Sequence, residues 1–153
     1  PILDKAVEFG KDVEILTVDN HADAVYTYLR SLEKYKEKSE NILKLLKTNG
    51  GNRSGMAFAN VDFYGNVHPD QFTWQHTFGN VKEEKFGSIW RNSNSEILVG
   101  LRNRKELLKG RCSQCKWLSV CNGNFRTRAE AVYNDFWAED PACYLTDEEI
   151  GIK

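Results

Sequence analysis

Four cysteines constrain this chain more than anything else in it. They stand at Cys112, Cys115, Cys121 and Cys143, and the 111 residues before them contain none. The two-residue gap lets Cys112 and Cys115 turn both sulfurs towards one centre from a tight turn. Cys121 then closes the set from a loop, and Cys143 from a distant return of the chain. A tetrahedral zinc site and an iron–sulfur cluster both fit four thiolates at this spacing, although the 21 residues before Cys143 make a long gap for a zinc ribbon. Disulfides are the weaker reading, because no signal peptide is evident and reduced thiols are the rule inside cells.

Charge narrows the partners. Lys and Arg number 21 against 22 for Asp and Glu, a formal net charge of -1, so there is no overall field to draw in nucleic acid or an anionic membrane. Apolar runs last only a few residues, short of the roughly 18 that span a bilayer. At 41% hydrophobic and 28% charged, the chain reads as a folded, cytoplasmic protein with neither nucleic acid nor membrane as partner. Locally the balance tips. From Arg102 to Arg128 the basic residues include Arg104, Lys105, Lys109, Arg111 and Lys116, and Glu106 is the single acid. Such cations stabilise a thiolate-ligated centre, and an arginine fork also grips carboxylates. Arg102 to Lys109 read equally well as a solvated helix face. Arg126 and Arg128 follow Cys121 closely, which places them near the metal and makes them candidate substrate contacts.

Periodicity gives the order of elements. Residues 3–9 space their apolar groups as a helix does, Val13 to Val18 read as a strand, and His21 to Arg30 read as helix again. This is the end of an α/β layered domain, with Asp19, Asn20, His21 and Asp23 at the carboxyl end of the strand. A helix over residues 32–47 follows, closed by Asn49-Gly50-Gly51. Residues 56–72 predict a β-hairpin with a two-residue turn at Gly65-Asn66. Short helices are expected over 86–91 and 96–108, and Thr146 with the acids after it opens another. The boundary between subregions falls near residue 50, giving 1–50 and 51–153. Because the sequence opens on Pro1 and its one methionine is Met56, a fragment or processed product is expected.

Three histidines, His21, His68 and His76, can each ligate iron, donate a proton or serve as hydrogen-bonded structure. His21 leads because it follows the strand end, and His68 comes next from its hairpin position. Phe72, Trp74 and Phe78 suit either a flat macrocycle or a core.

The run Lys109-Gly-Arg-Cys-Ser-Gln-Cys-Lys-Trp-Leu-Ser-Val-Cys-Asn-Gly-Asn-Phe-Arg, together with Trp137-Ala-Glu-Asp-Pro-Ala-Cys-Tyr-Leu-Thr-Asp-Glu-Glu-Ile, resembles the C-terminal SPASM region of radical S-adenosylmethionine enzymes. Gly65-Asn-Val-His-Pro-Asp-Gln-Phe, Phe78-Gly-Asn-Val-Lys-Glu and Phe86-Gly-Ser-Ile-Trp are similar to that region's hairpin and connecting helix. Thr17-Val-Asp-Asn-His-Ala-Asp and Asn49-Gly-Gly-Asn narrow the resemblance to tetrapyrrole-modifying members. These are the NirJ-type enzymes of haem d1 synthesis and the AhbC-type 12,18-didecarboxysiroheme deacetylases.

The resemblance implies a fold: the last βα units of a partial TIM-like barrel over 1–50, then a SPASM-type hairpin and cysteine-rich cap over 51–153. It implies one auxiliary 4Fe-4S cluster on Cys112, Cys115, Cys121 and Cys143. The sequence has Val67-His68-Pro69-Asp70 and Phe125 where a second cluster would take cysteines. It also lacks the Cys-x3-Cys-x2-Cys motif that binds the catalytic cluster and S-adenosylmethionine, so the chain alone is expected to be inactive. In the complete enzyme a 5'-deoxyadenosyl radical would abstract hydrogen from a siroheme-derived side chain. The deacetylase reading turns two acetates into methyls, giving iron-coproporphyrin; the NirJ reading removes propionates. Ferredoxin or flavodoxin would supply electrons. Without the rest of the barrel, the first helix and strand should expose apolar faces and make the fragment poorly soluble or oligomeric.

Overall fold

Asn20, not a helix-capping serine or threonine, starts the first long helix. In the computed structural model, which describes residues 2–10, 12–92 and 94–153, a short helix α1 (Ile2–Phe9) ends at Gly10. The Asn20 side-chain oxygen then accepts the Ala22 N–H at 3.1 Å, and α2 (Ala22–Lys34) begins with Asp23 in its first turn and ends with Lys34 in its last, as the helix dipole favours. Tyr35 breaks the path and α3 (Lys36–Asn49) follows, closed by Gly50 in the left-handed conformation. The break therefore falls four residues later than the sequence pattern suggests.

Val13 to Val18, expected as a strand, forms none. The segment is a bend followed by irregular chain, and Leu16 and Val18 are each 73% exposed. A parallel strand exists only by hydrogen bonding to neighbours, and the described residues offer it no partner edge. His21 consequently sits at the N-terminus of a helix and not at a strand end.

The hairpin is present but shorter and differently turned. β1 (Asn60–Val61) pairs antiparallel with β2 (Val67–His68), in register Asn60 to His68 and Val61 to Val67. Five residues, not two, connect them, because the Asp62 carboxylate accepts the backbone N–H groups of Tyr64 and Asn66 and the Asn66 amide. Asp62 is thus the residue that shapes the turn.

Helices α4 (Phe86–Asn92) and α5 (Glu96–Arg102) follow as expected, but the second pattern breaks at Asn103 before α6 (Arg104–Leu107). The cysteine region holds α7 (Gly110–Gln114), α8 (Leu118–Cys121) and α9 (Arg126–Tyr133). Thr146 and Glu149 form a reciprocal capping box at the start of α10 (Asp147–Ile150), where the sequence places one. The fold is thus mostly helical, with one small hairpin. Helix α2 packs on α3, and both touch α8. Ala22, Val25, Val120, Leu145 and Ile150 form the core between them, with Cys115, Cys121 and Cys143 packed against it.

Candidate metal centre

All four cysteines line one apolar cavity, which Val25, Leu145 and Ile150 wall off from the core side. Each arrives from a different piece of chain: Cys112 from α7, Cys115 from the residue after it, Cys121 from the last turn of α8, and Cys143 from the return loop. All four are free thiols and half-buried. Left-handed residues make the sharp bends. Asn122, Gly123 and Asn124 have φ of 53°, 72° and 58°, which turns the chain abruptly after Cys121.

Backbone amides face the sulfurs. The Trp117 N–H donates to Cys115 Sγ and the Asp140 N–H to Cys112 Sγ, each at 3.4 Å. Burial pushes the Cys112 and Cys115 thiols above their ordinary range and the Cys121 thiol up to about 12. Thiolates here therefore need compensating positive charge.

Two buried guanidiniums supply it. Arg126, 3% exposed, spends its terminal nitrogens on the carbonyls of Ala138 and Gly123, and its Nε has no partner. Arg104, 2% exposed, donates to the Leu101, Asn122 and Ser54 carbonyls and to Asn52 Oδ1 at 2.5–3.1 Å. Both sets of acceptors are neutral. Burial and the neighbouring Arg126 pull the Arg104 pKa down to about 10, and burial lowers that of Arg126. Buried cations that bond no carboxylate directly are costly, and a dianionic thiolate-ligated centre offsets them. The donor set, the amides aimed at sulfur and the unpaired cations all fit a metal centre. Among the described residues, no three Cys, His, Asp or Glu side chains are gathered tightly enough for one ion.

The remaining candidates separate. Arg126, expected as a substrate contact, turns inward beside the thiols. His68, also expected there, is buried: its Nδ1 meets the His76 carbonyl at 2.9 Å and its Nε2 meets Asp62 Oδ2 at 3.1 Å, so neither nitrogen is left for a ligand. His76 pairs with Glu130. Arg128 reaches the surface with three of its N–H groups in use: Nε and one terminal nitrogen donate to Asp140, and the other terminal nitrogen donates to the Asp19 carbonyl.

His21 leans on Phe125, and burial, then Arg104 and Arg128, hold its pKa below the ordinary value. The folded state thus favours neutral His21. Its stabilising contribution is full above about pH 6.5 and is lost as pH falls through the lowered folded value. Thermal melts of wild type and His21→Gln should converge as pH falls through the lowered folded value, with the variant showing the flatter pH profile; parallel profiles would contradict this.

Sequence reasoning passed over Arg104 and Asn124. Asn124 joins Asn20 Oδ1 and Asp140 Oδ2, each at 2.7 Å, and its oxygen accepts the His21 N–H, tying the start of α2 to the cysteine return. The Asn-Gly-Asn after Cys121 was its signal; nothing in the basic run marks Arg104 as the buried member.

An iron–sulfur cluster-binding domain model, SPASM, matches residues 54–116, taking in Cys112 and Cys115 and stopping before Cys121. Across 150 residues the chain is 51% identical to Fe-coproporphyrin III synthase of Methanosarcina barkeri, covering 96% of this chain and 38% of that protein. It is 42% identical to pre-heme d1 synthase of Dinoroseobacter shibae, covering 97% of this chain and 37% of that one. An AdoMet-dependent heme synthase of Methanosarcina barkeri is 36% identical over 112 residues, 69% of this chain and 31% of its own length. The chain spans little more than a third of the first two relatives. No solved structure matches it significantly.

Proposed function

The chain belongs to the radical SAM/SPASM family of haem-biosynthesis enzymes, and from that premise we propose that the full-length enzyme removes both acetate side chains from 12,18-didecarboxysiroheme to give iron-coproporphyrin III. The higher identity to the Fe-coproporphyrin III synthase favours this over propionate removal on the way to haem d1. The observation that carries it is the convergence of four thiols, from separate segments, on one cavity beside two buried guanidiniums.

Cys112, Cys115, Cys121 and Cys143 hold one auxiliary 4Fe-4S cluster in this reading. A cluster bound there supplies one-electron transfer. Its neighbours in this chain do the rest: the Trp117 and Asp140 amides orient sulfurs, Arg126 and Arg104 balance charge, and Val25, Leu145 and Ile150 keep water away. The 21 residues between Cys121 and Cys143 make a long gap for a zinc ribbon, which supports a cluster over zinc. In this reading residues 1–50, whose described elements are helices, adjoin the barrel of the complete enzyme, and 51–153 form the cluster cap. S-adenosylmethionine and the radical-generating cluster belong to the part of the enzyme outside these residues. Electrons come from a ferredoxin or flavodoxin in the cytoplasm.

Anaerobic purification with metal and sulfide analysis tests the centre. About four irons per chain are expected; stoichiometric zinc without sulfide would exclude the cluster. Product mass spectrometry of the full-length enzyme then separates acetate loss from propionate loss.

A further inference from the structure

A second cavity lies beside Arg128, whose guanidinium Asp140 holds. It measures about 190 Å³ and is lined by Asp19, Phe72, Phe125, Thr127 and Arg128. Its walls are two phenyl rings set edge to face, with centroids 5.2 Å apart and planes at 88°. Phe125 is 9% exposed and anchors the floor, while Phe72, at 43%, stands at the rim. The Arg128 guanidinium lies 5.3 Å from the Phe125 centroid, over its ring.

Arg128 does not wander there. Asp140 grips it bidentately at 3.0 and 2.9 Å, and the Asp19 carbonyl takes a third N–H at 2.6 Å. Asp19 holds that carbonyl in place with a left-handed backbone, φ 61°. A guanidinium carries five N–H groups, so two remain to a ligand. The site is thus a pre-oriented cation at the end of an aromatic slot, side by side with the cysteine region. Asp140 links the two directly, since its own N–H donates to Cys112 Sγ and its carbonyl accepts the Cys143 N–H.

We propose that the Phe72–Phe125 cleft receives one carboxylate-bearing edge of a flat aromatic macrocycle, its ring against the phenyls and its carboxylate on the two spare N–H groups of Arg128. Charge and shape both support this occupant. An arginine fork matches a carboxylate, aromatic walls match a planar π-system, and a volume below the roughly 300 Å³ of a whole-ligand pocket suits an edge of a macrocycle and not all of it.

The proposal rests on the tetrapyrrole reading above, and its test keeps the two apart. The full chain, cluster-loaded, is titrated with coproporphyrin III and with its tetramethyl ester by fluorescence quenching. Coproporphyrin should bind wild type at least about tenfold more tightly than Arg128→Ala, a loss of about 1.4 kcal/mol. The ester, lacking carboxylates, should bind wild type and Arg128→Ala alike. Phe72→Ala, at an exposed position, should weaken both ligands, and Arg128→Lys should fall between wild type and alanine. If coproporphyrin binds wild type, Arg128→Ala and Phe72→Ala equally, the cleft is not the site and the inference is overturned, while the tetrapyrrole reading stands. If wild type binds neither porphyrin, the inference falls too, and the iron and product measurements judge the reading by themselves.

Discussion

Replacing Gly51 by alanine should cost about 3–5 kcal/mol, at the upper end of single substitutions, and carry the metal centre with it. Two independent penalties act there. Gly51 has φ of 67°, a conformation that a side chain makes unfavourable by about 1–2 kcal/mol. A Cβ would also stand 2.3 Å from the Cys121 carbonyl carbon, 2.4 Å from its oxygen and 2.6 Å from the Val120 oxygen. These are backbone atoms of α8, and the Cys121 carbonyl is already fixed by the N–H groups of Asn52 and Asn124, so they cannot swing aside as a side chain would. The α3–α8 packing must open, and Cys121 moves with it. Urea unfolding of the cluster-free wild type and variant measures the stability loss, and iron per chain measures the loss of the centre. Gly50→Ala is the control: its φ of 73° brings the same conformational cost, but the nearest atom to its Cβ is 3.8 Å away. Equal losses at both positions would refute the steric argument.

Cys121→Ser should reduce bound iron from about four atoms per chain to background. Cys121 is the most deeply set of the thiols, packed against the core, and its carbonyl also anchors Asn52 and Asn124. Serine preserves the volume and the backbone contacts but offers iron a hard hydroxyl that stays protonated. The loss should exceed the roughly 10–100-fold that removal of a supporting partner costs a metal site. Circular dichroism should show the fold retained. A Cys121→Ser protein that kept its iron and sulfide would mean that Cys121 is not a ligand.

Local signals survived translation into structure wherever short-range chemistry decides. The Thr146 capping box, the Gly50 helix stop and the hairpin near Gly65 are where the sequence puts them, because each depends on a few adjacent residues. The cysteine spacing was legible for the same reason. The strand at Val13 to Val18 was not, since alternating β-prone residues say nothing about whether an adjacent edge exists. Arg104 shows the converse: a cation in a basic run is buried only because Asn52, Ser54 and Asn122 fold over it from 18 to 52 positions away. Likewise His68 became structural through Asp62 and the His76 carbonyl, partners that no spacing rule selects.

The return of the chain at Cys143 has a meaning for folding kinetics. A centre that ties Cys121 to Cys143 closes a loop with 21 residues inside it, worth about 3 kcal/mol of unfolded-state entropy if it acts as a disulfide of that span would. Helix α9 and the Asp140 turn lie within that loop, and α2 is fastened to it by Asn124. Iron supply would then set how long this region stays closed. In iron-starved protein, amide exchange should rise first between Asn122 and Tyr144, while the α2–α3 pair keeps its protection.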